Sequence, residues 1–119
     1  MSVWSSWNYK ASFPKGTKLN PDSYDYEHVV EIGNHLEVTC EDGEGGYAYH
    51  ILEDLIELFD KPLDEVPGLE LHAWYRYEEE EYDEVTVDIK DGKVKCEQTV
   101  KTWEPCTLAQ TGIGIGRKE

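Results

Sequence analysis

Apolar and polar residues alternate along three separate segments of the chain, and this pattern constrains the fold more than any other feature. Every second position is apolar from Trp7 to Phe13, from Leu69 to Arg76 and from Val85 to Lys90. A period of two places those apolar side chains on one side of an extended backbone. Each segment is therefore predicted to form a β-strand with one face buried against a core.

Two dipeptides have the composition of tight hairpin turns. Gly33-Asn34 lies between the apolar runs 29–32 and 36–40, and Asp91-Gly92 follows the strand that ends at Lys90. Asp-Gly accepts the positive φ angles of a type I′ turn, and Gly-Asn belongs to the same class of hairpin signals. The sequence therefore predicts that the neighbouring strands pair as antiparallel hairpins.

One segment has the periodicity of a helix. Between Tyr47 and Phe59, apolar residues form a single stripe and acidic residues lie largely opposite, while Pro62 is expected to end the helix. The predicted fold class is α+β, with an antiparallel β-sheet of about five to six strands and one α-helix packed on one face. At 119 residues the chain has the length of one domain. We assign residues 1–110 to it and interpret the glycine-rich segment 111–119 as a flexible C-terminal tail.

The cysteine content and the N-terminal residues indicate the cellular compartment in which the protein is expected. Cys40, Cys96 and Cys106 are an odd number in a chain with enough apolar residues for a core, which argues against a disulfide framework. The N-terminus lacks a basic leader followed by an apolar run, and no apolar run approaches the length of a membrane span. We therefore expect a cytoplasmic protein, in the host cell if a phage encodes it, that is a monomer or a homodimer.

Charge is concentrated in the middle of the chain. The formal net charge is −15, and residues 22–89 contain twenty-two acids against only Lys61 and Arg76. Such a charge excludes a simple nucleic-acid binder and disfavours docking on anionic membranes, because both partners would carry the same sign. A positively charged protein is the partner that this composition favours.

No segment carries a signature for catalysis or metal binding. The glycine-rich segment 41–46 precedes the predicted helix but has three acids and no lysine, so it is unsuited to phosphate, and we interpret it as a flexible acidic turn that enters the helix. Asp42 and Glu53 stand at positions one and twelve of a calcium-loop frame, yet Tyr47 occupies the position that requires glycine. Cys40 and His50 lack an identifiable third catalytic group, and Cys40 is interpreted as a buried core residue. We predict no catalytic residue, no metal and no cofactor.

Two groups of acids stand out as a candidate interface. The helix presents acids on its outer side, and residues 78–84 contain six acids in seven positions. Lysine is scarce among them, although interleaved lysine would relieve the repulsion between the carboxylates. Tyrosines lie within the acidic segment, and tyrosine commonly anchors protein interfaces. The predicted partner-binding residues are Asp42, Glu44, Glu53, Asp54, Glu57, Asp60, Glu78, Glu79, Glu80, Glu81, Tyr82, Asp83 and Glu84.

In size, acidity, single-domain layout and lack of catalytic motifs, the chain resembles the small anti-defence proteins of phages and mobile elements, including anti-CRISPR proteins and DNA-mimic anti-restriction proteins. The resemblance includes no motif that aligns residue by residue, so it assigns no site. It implies a non-enzymatic inhibitor that binds a basic nucleic-acid enzyme and blocks the site for DNA or RNA. The alternatives are an immunity protein against a cationic toxin nuclease, an acidic phage structural or assembly protein, a small enzyme centred on His72, and a divalent-cation binder.

Overall fold

The computed structural model describes residues 5–45, 52–77, 84–98 and 101–111. These residues form one seven-stranded sheet in the order β2-β3-β1-β4-β5-β6-β7, and every pairing between neighbouring strands is antiparallel. The strands are β1 (Ser5–Pro14), β2 (Val30–Ile32), β3 (His35–Gly45), β4 (Glu70–Tyr77), β5 (Glu84–Lys90), β6 (Lys93–Gln98) and β7 (Lys101–Cys106). The helices are the 3₁₀ helix η1 (Tyr24–His28), α1 (Glu53–Phe59), a 3₁₀ turn (Leu63–Glu65) and the single turn α2 (Leu108–Thr111). Of the predicted tail 111–119, all but Thr111 lies outside the described residues.

The α+β class and the antiparallel sheet are confirmed, but five to six strands was too low a number. The three alternating segments form β1, β4 and β5, whose apolar positions are largely buried while the intervening residues are wholly or partly exposed. Strand β7 was not predicted, because its residues do not alternate and Pro105 lies within it. β7 lies at the edge of the sheet, where a proline is tolerated because one side of the strand needs no hydrogen-bonded neighbour.

Both predicted hairpins are present. Ile32 pairs with His35 across Gly33-Asn34, and Gly33 has a φ of 61° at the first central position of the turn. Lys90 pairs with Lys93 across Asp91 and Gly92, whose φ angles of 54° and 76° are those that a type I′ turn requires. The two dipeptides therefore set the registers of β2 with β3 and of β5 with β6.

The glycine-rich acidic segment was wrongly interpreted as a turn that enters the helix. Residues 41–45 continue β3 and pair with β1, with an irregularity in register between Trp7 and Tyr9. Gly43 lies opposite Trp7, and a Cβ atom at this position would overlap the Trp7 indole. The absent side chain makes room for the indole, so the glycine that suggested a turn belongs to a strand instead.

The helix α1 covers one face of the sheet. It begins at Glu53 in the described residues, and the predicted portion 47–51 lies outside them. Leu55, Leu58 and Phe59 are buried, and the Phe59 ring packs edge to face on Phe13 of β1 with 4.9 Å between ring centroids. The helix ends at Asp60, which has a left-handed φ of 56°, before Pro62 is reached. No helix within the described ranges has the length and apolar character that crossing a membrane requires.

All three cysteines are free thiols. Cys96 is buried, and desolvation raises the pKa of its thiol to about 11, so the thiol stays protonated at neutral pH. Cys40 and Cys106 are only partly buried, which corrects the expectation of a fully buried Cys40.

Freshly prepared, unreduced protein should contain three free thiols when it is titrated in denaturant. The reason is that no pair of cysteines is bridged in the folded chain. A titre of one thiol per chain would contradict this expectation. The same titration after treatment with a reductant is the control, and it should give the same value.

Candidate functional site

Two helical segments form a layer on one face of the sheet. The backbone N–H of Asn20 donates to the Leu58 carbonyl at 2.8 Å, and the Asn20 side-chain amide donates to the Glu57 carbonyl at 3.3 Å. The Ser23 hydroxyl donates to the Asp54 carbonyl at 3.3 Å. These bonds run between the connection that leads into η1 and the helix α1, so both segments are held together as one rigid layer.

This layer is acidic. The segments that form it, 19–28 and 52–65, contain nine Asp and Glu against one Lys or Arg, Lys61. Asp25 is buried, Glu53 and Asp64 are partly buried, and the remaining acids of these segments are exposed. We define the acidic layer as Asp22, Glu27, Glu53, Asp54, Glu57, Asp60, Asp64 and Glu65.

The opposite face of the sheet has no helix on it in the described part of the chain, and several of its acids lie beside bases. Side-chain distances are 3.9 Å for Lys10–Glu37, 3.7 Å for Lys95–Glu97 and 2.6 Å for His72–Asp88. Among the described residues, Asp54, Glu57 and Asp60 have no lysine or arginine within 4.0 Å, whereas Glu37, Glu84 and Glu97 of the open face each lie beside such a base.

Crowding of carboxylates has an energetic consequence within the acidic layer. The pKa of Asp54 is raised above its ordinary value, first by desolvation and then by the negative charges of Asp25, Glu57 and Glu53. A raised pKa means that the folded state opposes ionisation of this carboxyl. Ionisation of Asp54 therefore costs the folded state some stability.

A buried carboxyl lies beneath the layer. The Tyr9 hydroxyl of β1 donates to the Asp25 carboxylate at 2.7 Å, and Asp25 is only 4% exposed. The Ser23 hydroxyl accepts from the Asp25 backbone N–H at 3.1 Å and caps η1. Burial raises the pKa of Asp25, and burial together with the Asp25 carboxylate raises the pKa of Tyr9. The contact attaches η1 to the sheet, and sequence reasoning missed it because Asp25 looks like one more surface acid.

The structure separates the predicted partner-binding residues. Glu53, Asp54, Glu57 and Asp60 share the acidic layer. Glu44 lies opposite Ser6, and Glu84 is 3.7 Å from Arg76, so both belong to the open face. The backbone of Asp42 is in β3, while its side chain and residues Glu78, Glu79, Glu80, Glu81, Tyr82 and Asp83 lie outside the described residues.

One cleft lies at the end of the acidic layer. It has a volume of about 370 Å³, with Phe59 and Val66 among its apolar lining residues and Lys18 and Lys61 among its charged ones. Neither lysine forms an ion pair with the described residues. These two ammonium groups line the cleft beside the acidic layer.

Two alternative functions, a small enzyme centred on His72 and a divalent-cation binder, can be compared with the structure. His72 Nδ1 lies 2.6 Å from the Asp88 carboxylate, but the two side chains are 63% and 43% exposed on the open face. The described residues contain no cluster of three or more His, Cys, Asp or Glu that could hold a metal ion.

Comparison of the chain with protein-family models, with curated proteins and with solved structures finds no match.

Proposed function

We propose that the protein is a non-enzymatic inhibitor that binds a basic nucleic-acid-binding effector, such as a CRISPR or restriction nuclease, through an acidic, DNA-mimicking surface. The observation that supports this proposal is the set of acids on α1 and its C-cap. Asp54, Glu57 and Asp60 have no Lys or Arg within 4.0 Å among the described residues, whereas Glu37, Glu84 and Glu97 of the open face lie beside such a base. Carboxylates without internal basic partners remain available to an external one.

The spacing of the helical acids suits mimicry of a nucleic acid. Four acids, Glu53, Asp54, Glu57 and Asp60, occupy a helical segment of about 10 Å at 1.5 Å per residue. The mean spacing between them is roughly 3.5 Å along the helix axis, close to the ~3.4 Å between successive charges of one DNA strand. Hydrogen bonds from Asn20 and Ser23 hold the helix against the neighbouring segment, so the charges are presented without a large loss of entropy on binding.

Capture from lysate with displacement by DNA tests this proposal. Immobilised protein should retain nucleic-acid-binding enzymes, and duplex DNA should displace them because both ligands occupy one basic site. Purified retained nucleases should then lose DNA cleavage when the protein is added. Retention of enzymes that DNA does not displace, or capture of no nucleic-acid-binding protein, would refute the proposal.

The protein itself should show no saturable binding to duplex DNA or RNA at physiological salt. The acidic layer repels a polyanion, and Lys10 and Lys95 of the open face lie close to carboxylates. A gel-shift titration is sufficient for this measurement. A saturable shift would contradict mimicry and would direct attention to Lys10 and Lys95 on the open face.

A further inference from the structure

The large apolar side chains that are exposed to solvent gather in one short segment. Among the described residues, those that are markedly exposed are Tyr24 at 67%, Val30 at 52%, Ile32 at 45% and Tyr26 at 43%. All four lie within nine positions of the sequence, in η1 and β2. Apolar side chains that are exposed near one sheet edge can be covered by a partner that pairs with that edge.

The segment lies at an edge of the sheet. β2 is the first strand in the sheet order and pairs only with β3 in the described part of the chain. Val30 lies opposite Glu37, a residue of the open face, and Ile32 lies opposite His35. Val30 and Ile32 therefore point to the open face, whereas Glu31, which pairs with Lys15, points to the helical face. The outer side of β2 leaves backbone groups without a strand partner.

The aromatic part of this surface is held in place. The Tyr24 and His28 rings stack with 4.9 Å between their centroids, and His28 Nδ1 lies 3.1 Å from the Tyr24 carbonyl oxygen. Beneath them, the Tyr9–Asp25 hydrogen bond attaches η1 to the sheet. A tyrosine that is fixed before binding loses little entropy on contact, which is the property of an interface anchor.

Charge decides which partner can cover this edge. Asp22 and Glu27 are exposed on the helical side, and the sequence has no Lys or Arg from residue 19 to residue 60. A second copy of the chain would bring together two chains of net charge −15, while Glu31 at the centre of β2 is already paired with Lys15. A basic segment from another protein does not meet this net repulsion.

We infer that β2, with Tyr24 and Tyr26, is a docking edge for an extended segment of the partner in which apolar residues alternate with lysine or arginine. The apolar residues pack beside Val30 and Ile32 on the open face. The basic residues face the helical side, where Asp22 and Glu27 are exposed. In this mode of binding the partner adds a strand to the edge of the sheet. Main-chain hydrogen bonds provide the affinity, and every second side chain of the added strand provides the specificity. The inference rests on the proposed function in requiring a basic partner.

Two ten-residue peptides test the docking edge, one that alternates lysine with valine and one that alternates glutamate with valine. The lysine peptide should bind with a Kd below ~1 mM and shift the amide NMR signals of residues 30–32. The glutamate peptide should not bind. The variant Val30→Ser/Ile32→Ser keeps the charge and changes only exposed side chains, and it should lose about fivefold or more in affinity for the lysine peptide. Thr102→Ser, an exposed position on the opposite edge strand, is the matched control and should bind as the parent protein does.

Three results would overturn the docking edge. The first is equal affinity of the parent protein and Val30→Ser/Ile32→Ser for the lysine peptide, which would leave the acidic layer as the binding surface. The second is failure of the lysine peptide to bind at all. The third is a concentration-dependent dimer that Val30→Ser/Ile32→Ser abolishes, because the occupant would then be a second copy. DNA-displaceable capture of nucleases is measured separately, so loss of the docking edge and loss of the proposed function are distinguishable.

Discussion

The double substitution Asp54→Lys/Glu57→Lys should weaken binding to the captured effector and, at the same time, stabilise the fold. Both side chains are exposed on α1, and neither lies within 4.0 Å of a base among the described residues. Reversal replaces two attractions to a basic partner with two repulsions, and we expect dissociation to accelerate about tenfold or more, or ~1.4 kcal/mol. Association should slow less, because the remaining acids still attract the partner.

The expected gain in stability comes from relief of repulsion within the acidic layer. Desolvation and then the negative charges of Asp25, Glu57 and Glu53 raise the pKa of Asp54, and lysine at position 54 would be attracted by the charges of Asp25 and Glu53. Removing like-charge neighbours on a helix contributes a few tenths of a kcal/mol per pair, so the unfolding midpoint should rise by roughly 2–4 °C. Thermal unfolding and surface plasmon resonance on the same preparations measure the two effects.

Glu70→Lys/Glu97→Lys is the matched control, because it makes the same change of charge on the open face. It should alter dissociation by less than about twofold, which corresponds to ~0.4 kcal/mol. Equal effects of the two double substitutions would mean that only net charge matters, with no localised surface. No effect of either would mean that the acids serve solubility alone.

The sequence was sufficient to predict those strands and turns that a single sequence pattern identifies. A strand with one buried face must alternate, so β1, β4 and β5 could be located, and Asp91-Gly92 has few uses other than a tight turn. β7 could not be located, because an edge strand that contains Pro105 carries neither alternation nor a continuous apolar run. The extension of β3 through Gly43 was hidden as well, since it depends on where the Trp7 indole packs.

The part of the candidate site that lies on α1 could be predicted from the sequence, because helix periodicity determines which side chains of α1 point outward. The outward placement of Asp54 and Glu57 followed from the apolar stripe on the other side of α1. Placement of Glu44 and Glu84 on the opposite face did not follow, because it depends on strand register. Burial of Asp25 depends on the approach of Tyr9 from a strand sixteen residues away. Long-range packing of this kind leaves no periodic trace in a sequence.

The second large effect should come from Tyr9→Phe, which we expect to destabilise the fold by about 1.5–3 kcal/mol at pH 7. The substitution keeps the ring in the core but removes the hydroxyl that donates to the Asp25 carboxylate at 2.7 Å. Asp25 is 4% exposed, so water does not readily replace the lost donor. Denaturant unfolding measures the change, and a loss below ~0.5 kcal/mol would show that the bond is not a structural attachment of η1.

The buried Asp25 carboxyl, which accepts from Tyr9, also determines the direction in which the stability of the fold changes with pH. The pKa of Asp25 in the folded chain is raised above its ordinary value of 3.8, with burial as the main cause, and the pKa of Asp54 is raised too. The folded state therefore holds protons that the unfolded chain releases. The stability contributed by these groups is fully present below about pH 4, and it is lost as the pH rises through the folded pKa values.

Asp25→Asn tests this assignment, because an amide oxygen can still accept the Tyr9 hydrogen bond while the ionisable group is removed. The variant should be more stable than the parent protein at pH 7 and should show a flatter dependence of stability on pH above pH 4. Asp22→Asn, an exposed acid three residues away, should leave the pH dependence as in the parent. In the Asp25→Asn background, Tyr9→Phe should cost less than in the parent protein, because no buried charge is left without its donor. An equal cost in both backgrounds would place the contribution of Tyr9 in its packing and not in its bond to Asp25.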